Sequence, residues 1–429
     1  MIRSYKTELH PNNKQSTLFL KHAGVARFVY NWGLYYRIEH YKKTGETLNA
    51  QALHKLLVQL KTIEYPWMYE VSKCAAQNAL RNLDTAFVNF FRNLKDKKCK
   101  KKGFPQFKSK KGSKTSYTVE GCLSVDGKAI KLPKIGWVRL KENNYLPVGS
   151  EIKSASISQR ADRWFVSINV DEEEKTLIET NLTDEIIGID LGIKTLATCS
   201  NETIFENPKC LRKRSKKLRR LSKSHSRKQK GSKNREKSRK ILARLHYKIA
   251  NIRKDVLHKI TTAVAKAKPQ YVVVEDLNVS GMMKNHRLAR SISECGFFEF
   301  RRMLAYKLER IGSYLMLANR WFPSSKMCSC CFNIKDGLTL SDRIYHCDEC
   351  EYSEERDFHG SLNLKYYPQF KKLYDEMCCK SWKDFSEKMN TVGSTGKTCI
   401  ASLQACGDDV SLSHIDKAIV CEAGIKHKT

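Results

Sequence analysis

Apolar positions in the first part of the chain follow two different periods. Tyr5–Leu9, Trp137–Leu140 and Trp164–Val170 are rich in β-branched and aromatic residues, which predicts strands. Between the first two of these, roughly 14–95 carries apolar residues spaced by three and four, as in Leu80, Leu83, Phe87 and Phe91. That spacing predicts helices. A β-module interrupted by a helical module follows. Lys97–Lys114, broken by Gly103, Pro105 and Gly112, predicts a basic loop.

The pattern changes at 186. Ile186, Ile187, Gly188 and Ile189 form an apolar run that ends on Asp190, and a strand-like Thr195–Cys199 follows. Further on, Ile241, Leu245, Ile249, Ile252, Val256, Ile260 and Val264 recur every three or four residues, one stripe of a long helix. Tyr271–Leu277 predicts a buried strand that runs into two acids, Glu275 and Asp276. A helix is expected near 297–318, then a strand over Asn319–Phe322. Beyond about 366 the sequence is polar and pattern-poor, and a flexible tail is expected. No internal repeat is visible.

Charge narrows the partners. The 429 residues contain 79 Lys or Arg against 45 Asp or Glu, a formal net of +34. From Lys209 to Lys240 there are 17 Lys or Arg and one acid, Glu236. Solvated helices usually mix charge signs; a run this one-sided repels itself unless anions neutralise it, and nucleic acid is the expected anion. Membrane is disfavoured, since no apolar run reaches the ~18 residues a spanning helix needs. The N-terminus lacks the apolar core of a signal peptide. The expected setting is therefore a reducing cytoplasm, with association to the nucleoid of a prokaryotic cell.

In a reducing compartment, paired cysteines usually mean metal. Cys328 and Cys331, then fifteen residues, then Cys347 and Cys350 have the spacing of a four-thiolate zinc ribbon, with one structural Zn2+ per chain. Cys330 could compete as a ligand. Neither Cys331 nor Cys350 is followed by glycine, the residue that most easily takes positive φ in such knuckles.

Three acids distant in sequence are the second candidate constellation: Asp190 and Glu275 at strand ends, and Asp357 at the start of the helical pattern Phe358–Leu364. Together they could present oxygen ligands to Mg2+, or Mn2+, and two such ions about 4 Å apart can activate water and stabilise a leaving oxygen. Strand alternation leaves open whether Glu275 or Asp276 faces inward.

These residues, taken in order, resemble the TnpB family, transposon-encoded RNA-guided DNA nucleases related to type V CRISPR effectors. His10-Pro11 through Gln15, Arg27–Asn31 and Phe104–Lys110 resemble its N-terminal half. Gly188–Gly192, Val274–Asn278 and Arg356-Asp357 resemble its three RuvC motifs, and this favours Glu275 over Asp276. Ser232–Arg235, Arg253–Asp255 and His258-Lys259 resemble the basic stretch between motifs, Pro323–Lys326 the approach to the ribbon, and Ala405–Asp408 its tail. His359 departs from the Asn usual two residues after the third acid.

The resemblance implies a multidomain α+β chain: an oligonucleotide-binding-like β-barrel with an inserted helical recognition lobe, then an RNase H-like RuvC α/β domain with a zinc-ribbon insertion. The corresponding boundaries are 1–13 with 97–180 for the barrel and 14–96 for the helical lobe. The RuvC domain takes 181–322 with 351–366, the ribbon 323–350, and the tail 367–429. It implies Asp190, Glu275 and Asp357 as the catalytic, Mg2+-binding acids. Contacts to nucleic acid are expected from Lys108, Lys110, Arg212, Lys213, Arg214, Lys216, Lys217, Arg219, Arg220, Lys233, Asn234, Arg235, Ser325 and Lys326. The partners implied are a guide RNA and double-stranded DNA with a short adjacent motif, bound by a monomer on one RNA. A DNA transposase and a nuclease-inactive RNA-guided regulator are the alternatives. The first usually orders its acids Asp, Asp, Glu, and the second usually lacks one of them.

Overall fold

A computed structural model describes residues 2–96, 103–110, 115–172, 182–339 and 341–392. The chain divides into two units: Met1–Glu174 with Lys233–Tyr247, and Lys175–Ser232 with Lys248–Thr429. The first unit opens with strand β1 (Ile2–His10), followed by helices α1 (Asn13–Thr44), α2 (Ala50–Ile63) and α3 (Lys73–Lys95). Strands β2 (Ser116–Val119), β3 (Ser124–Val125), β4 (Ala129–Leu132), β5 (Gly136–Leu140), β6 (Ile152–Arg160) and β7 (Arg163–Asp171) follow.

The seven strands make one antiparallel sheet in the order β2-β6-β7-β1-β5-β4-β3. Its inward residues, among them Ile130, Val138, Ile157, Val166 and Ile168, form one core. Helices α1, α2 and α3 share a second, around Val29, Leu34, Leu53, Leu80 and Leu83. The motif around Pro11 has a plain structural purpose. Asn12 caps α1 by accepting from the Gln15 amide at 2.8 Å, while the Gln15 side chain accepts from the Asn12 amide at 3.1 Å. Reciprocal bonding of this kind satisfies two amides that the first helical turn leaves free.

The second unit contains β8 (Thr183–Asp190), β9 (Thr195–Cys199), β10 (Ile204–Glu206) and the basic helix α4 (Cys210–Ser226). Helix α5 (Lys233–Lys266) follows, its first fifteen residues counted with the first unit rather than with the nuclease-like domain expected from sequence. Next come β11 (Pro269–Glu275), short helices α6 (Val279–Met282) and α7 (Ala289–Cys295), α8 (Phe297–Glu309) and β12 (Tyr314–Ala318). A small hairpin of β13 (Ile344–His346) and β14 (Ser353–Glu355), then helices α9 (Arg356–Glu376) and α10 (Trp382–Val392), complete the described chain.

The main sheet has the order β10-β9-β8-β11-β12. The first three strands are antiparallel, while β8, β11 and β12 run parallel. A strand buried on both faces needs apolar side chains at odd and even positions alike, which explains the unbroken runs at 186–189 and 271–274. Ile187, Ile189, Val272 and Val274 pack on one face with α5, α7 and α8. Ile186, Tyr271 and Val273 pack on the other with α9 and α10.

Gly188 lies on the α9 face and lets the helix backbone touch the strand. A Cβ placed there would come within 2.1 Å of the Ser361 carbonyl oxygen and 2.3 Å of the Lys365 nitrogen. Gly188→Ala should therefore destabilise the second unit by roughly 3 kcal/mol, the upper range for overpacking against backbone that cannot yield. A calorimetric melt with an unchanged transition would contradict this packing.

Two expectations from sequence are corrected. The segment taken as helix to 318 and strand over Asn319–Phe322 is α8 ending at Glu309, a turn at Gly312 with φ of 79°, and β12 at Tyr314–Ala318. The stretch from 367 to 392 is also helical. Tyr367, Phe370, Trp382 and Phe385 are all buried in the core beneath β8 and β11. The resemblance at Ala405–Asp408 lies outside the described residues, as do most of the loop Lys97–Lys114 and the barrel boundary at 173–180.

Candidate functional site

Side-chain alternation settles which acid of the Glu275-Asp276 pair faces α9. Residues 271, 273 and 275 share one face of β11; 186, 188 and 190 share the matching face of β8. Val274 pairs with Ile189, so Asp190 and Glu275 end neighbouring parallel strands side by side. Asp276 is turned elsewhere and spent on two cations, Arg301 at 2.8 Å and Arg320 at 2.7 Å. Asp357 lies in the first turn of α9, the helix packed on this face. A Cβ placed at Gly360, one turn on, would lie 3.7 Å from the Asp190 carboxyl carbon and 3.8 Å from the Ser325 hydroxyl, so α9 runs close past that acid.

The electrostatics match the geometry. Burial pushes the Asp190 carboxyl well above the ordinary carboxylate range, and the charges of Glu275 and Asp357 push it the same way. Glu275 is also raised by burial, against the opposing pull of the Ser324 hydroxyl and the Arg356 charge. Glu275 and Asp357 lie near enough for their charges to act on Asp190, and carboxylate oxygens are the ligands a hard divalent cation prefers.

Several groups hold these acids in place. The Ser324 hydroxyl donates to Glu275 Oε1. Asn363 on α9 donates to the carbonyls of Ser324 and Met327, both at 2.7 Å. Arg356 donates to the Thr339 carbonyl at 2.8 Å, in the loop between the cysteine pairs. His359 is fully buried and stacks on Tyr345 with ring centroids 4.0 Å apart. Burial lowers its pKa to about 4, so it packs as a neutral ring.

The four cysteines meet. Sγ atoms of Cys328, Cys331, Cys347 and Cys350 all lie within 4.8 Å of one another, and Cys330 is outside the group. The pairs Cys328–Cys350 and Cys331–Cys347 are 3.6 and 3.5 Å apart, close to the ~3.8 Å separation that ~2.3 Å metal–sulfur bonds give in a tetrahedron. The Cys330 amide donates to Cys328 Sγ at 3.3 Å. Burial pushes the Cys328 thiol far up and the Cys331 thiol to about 12, so a metal must displace protons to bind.

Both knuckle turns use positive φ without glycine: Phe332 at 63° and Glu351 at 59°. The left-handed region costs an ordinary residue about 1–2 kcal/mol. Phe332 is 2% exposed and its ring packs on Phe370 at 5.5 Å. Burying such a ring contributes about 1.5–3 kcal/mol, enough to offset the strain.

Most of the basic residues singled out from sequence project into solvent. Arg212, Lys213, Lys216, Lys217, Arg219 and Arg220 are exposed along α4, and Arg214 is half-buried with a bond to the Cys210 carbonyl. Lys233 and Asn234 are exposed and Arg235 half-buried at the start of α5. Sequence reasoning missed Glu294. Nearly buried on α7, its Oε1 accepts from the Leu211 and Arg212 amides at 2.5 and 3.2 Å and caps the basic helix, which has no cap of its own.

Lys108 is not free. Its ammonium sits 3.5 Å from the Tyr30 ring centroid, and its backbone is clamped on both sides by the Asn31 amide at 2.7 and 2.9 Å. Lys110 is exposed and Ser325 half-buried; the Lys326 amine donates to the Asp336 carbonyl.

Known proteins resemble this chain along most of its length. Residues 166–286 match a family described as "Probable transposase", 297–364 one described as "Cas12f1-like, TNB domain", and 1–46 one described as "Helix-turn-helix domain". Over that last range the described residues form one strand and one 32-residue helix. The chain is 35% identical over 366 residues to a Streptomyces pristinaespiralis protein named "Putative RNA-guided DNA endonuclease", covering 84% of this chain and 88% of that one. It is 33% identical to InsQ of Escherichia coli, which carries the same description, across 85% and 91% of the two chains. A Cas12f1 structure solved with guide RNA and target DNA shares its fold, with a TM-score of 0.50 at 17% identity and 82% and 83% of the chains covered.

The mixed α/β architecture and the family matches define a transposon-associated class with the Cas12f-like fold. Given the identity and coverage of its relatives, the chain belongs to the TnpB family.

Proposed function

We propose that this protein is an RNA-guided DNA endonuclease that cuts target DNA by divalent-metal-dependent phosphodiester hydrolysis at a single RuvC site. The observation that carries the reading is that Asp190 and Glu275 end neighbouring parallel strands, while Asp357, in the first turn of the helix packed on that face, is near enough for its charge to act on Asp190. Three antiparallel strands followed by two parallel ones support an RNase H-like domain, and the seven-stranded sheet with helices inserted after β1 supports an oligonucleotide-binding-like barrel.

Asp190, Glu275 and Asp357 would hold two Mg2+ ions, or Mn2+, which when bound supply water activation and leaving-group stabilisation. Ser324 fixes the orientation of Glu275, and Arg356 balances part of the negative charge. Cys328, Cys331, Cys347 and Cys350 would hold one structural Zn2+. The exposed cations of α4 would hold nucleic-acid backbone irrespective of sequence, as suits a protein that leaves sequence reading to base pairing. The partners on this reading are one guide RNA and double-stranded DNA carrying a short adjacent motif. The sequence keeps all three acids, which argues against a regulator that has lost cleavage.

The test is to purify the protein from its own host and sequence the RNA that comes with it. The expected outcome is a defined transcript from beside its gene, whose pairing segment redirects Mg2+-dependent cutting when changed. A protein that carries no specific RNA, or cuts without regard to it, is not what we propose.

A further inference from the structure

Trp321 is 81% exposed, the most exposed of the tryptophans on a surface that buries Trp164 and Trp382. Isolated exposed apolar residues are common and by themselves mean little. This one differs in how it is held. Its amide donates to Asn319 Oδ1 at 2.9 Å, and the Asn319 amide donates to the buried Tyr367 hydroxyl at 2.9 Å. The next residue, Phe322, is buried, its ring 4.9 Å from Tyr367 and 4.8 Å from Trp382. The preceding Arg320 is paired with Asp276. Backbone on both sides is bonded, and the indole stands in solvent beside the exposed Asn319 and Arg320.

Its place in the sheet gives the reason. Glu275 pairs with Ala318 across β11 and β12, so the chain leaving β12 reaches Trp321 three residues beyond the partner of a site acid. Three residues further on, Ser324 holds Glu275. Asp190 and Glu275 end two neighbouring parallel strands, and Trp321 follows the end of the third, β12, at the same edge of the sheet. A flat aromatic face anchored beside hydrolytic carboxylates can stack a base of a strand whose phosphate lies at those carboxylates, for any base, because all bases offer a π-face.

We propose that Trp321 is a stacking platform that seats a single-stranded nucleotide of the DNA being cut at the acid site. The inference rests on the nuclease reading above. It is tested on the full chain loaded with its guide RNA, using target duplexes with 2-aminopurine at successive positions through the displaced and paired strands. Trp321→Ala should slow single-turnover cutting about tenfold to a hundredfold, the range produced by losing one base–aromatic stack. Trp321→Phe should restore most of the rate, and affinity for target should be unchanged in both variants. In an uncleaving Asp190→Asn background, 2-aminopurine near the cut should be quenched with Trp321 present and brighten with Ala. A Trp321→Ala protein that cuts at the wild-type rate, or a rate loss that Phe does not rescue with quenching unaltered, overturns the stacking role alone. A wild-type complex that leaves DNA intact overturns the nuclease reading first.

Discussion

Asp190→Asn should lower cleavage by about a thousandfold or more, a loss of ~4 kcal/mol of transition-state stabilisation, because an amide is a poor ligand for a hard cation. Guided target binding should persist, since phosphate contacts far from the acids supply most of it. A variant that still cuts at more than a few per cent of the wild-type rate would remove Asp190 from the site. The same substitution should make the metal-free protein more stable. Burial and the neighbouring charges raise the Asp190 pKa in the folded state. A carboxyl raised in this way favours folding while protonated, and that contribution is lost as pH rises through its folded pKa. Above that folded pKa, without cation, the buried charge opposes folding; Asn has no charge to bury. In chelator, Asp190→Asn should therefore melt above wild type, and a lower melting temperature would mean that the carboxylate is paired rather than strained.

The second large effect should come from depriving the cysteine lobe of the metal proposed for it. One zinc per chain is expected by elemental analysis, and sites of this kind contribute about 10–16 kcal/mol to folding in isolated peptides. Cys347→Ser should lose the metal and the hydrogen-exchange protection of 327–352. It should also slow cleavage about ten- to a hundredfold, the usual consequence of loosening a group behind a metal ligand. The route is physical: Ser324 and Met327, just before the first knuckle, are bonded to Asn363, and Ser324 in turn to Glu275. Full activity in a zinc-free preparation would refute this coupling.

Where periodicity and burial agree, the sequence was readable. The strands at 186–190 and 271–275 stand out because burial on both faces forces apolar residues at every position. The acids could be listed, but the placing of Asp190 and Glu275 at neighbouring strand ends could not, because parallel pairing of β8 with β11 joins residues some 85 positions apart and leaves no local trace. Family resemblance supplied that step.

The errors have equally specific causes. Tyr314–Ala318 is as apolar as the helix before it, so only the Gly312 turn separates them. The α9 sequence alternates lysines with aromatics and contains Pro368, which disguises a helix whose buried side carries Tyr367 and Phe370. The missing knuckle glycines raised a doubt that the buried Phe332 ring answers. Ser324 was passed over in favour of Ser325, since nothing in the sequence says which hydroxyl turns inward.

Helix α9 has implications for engineering. Its first turn bears Asp357 and stacks His359 on the hairpin of the cysteine lobe, and Gly188 keeps its backbone pressed to the strand that bears Asp190. One rigid rod therefore sets the spacing of two acids and the seat of the lobe together. Transplanting a ribbon from a relative, or trimming it to shrink the protein for delivery, would shift that rod unless the Tyr345–His359 and Asn363 contacts travel with it.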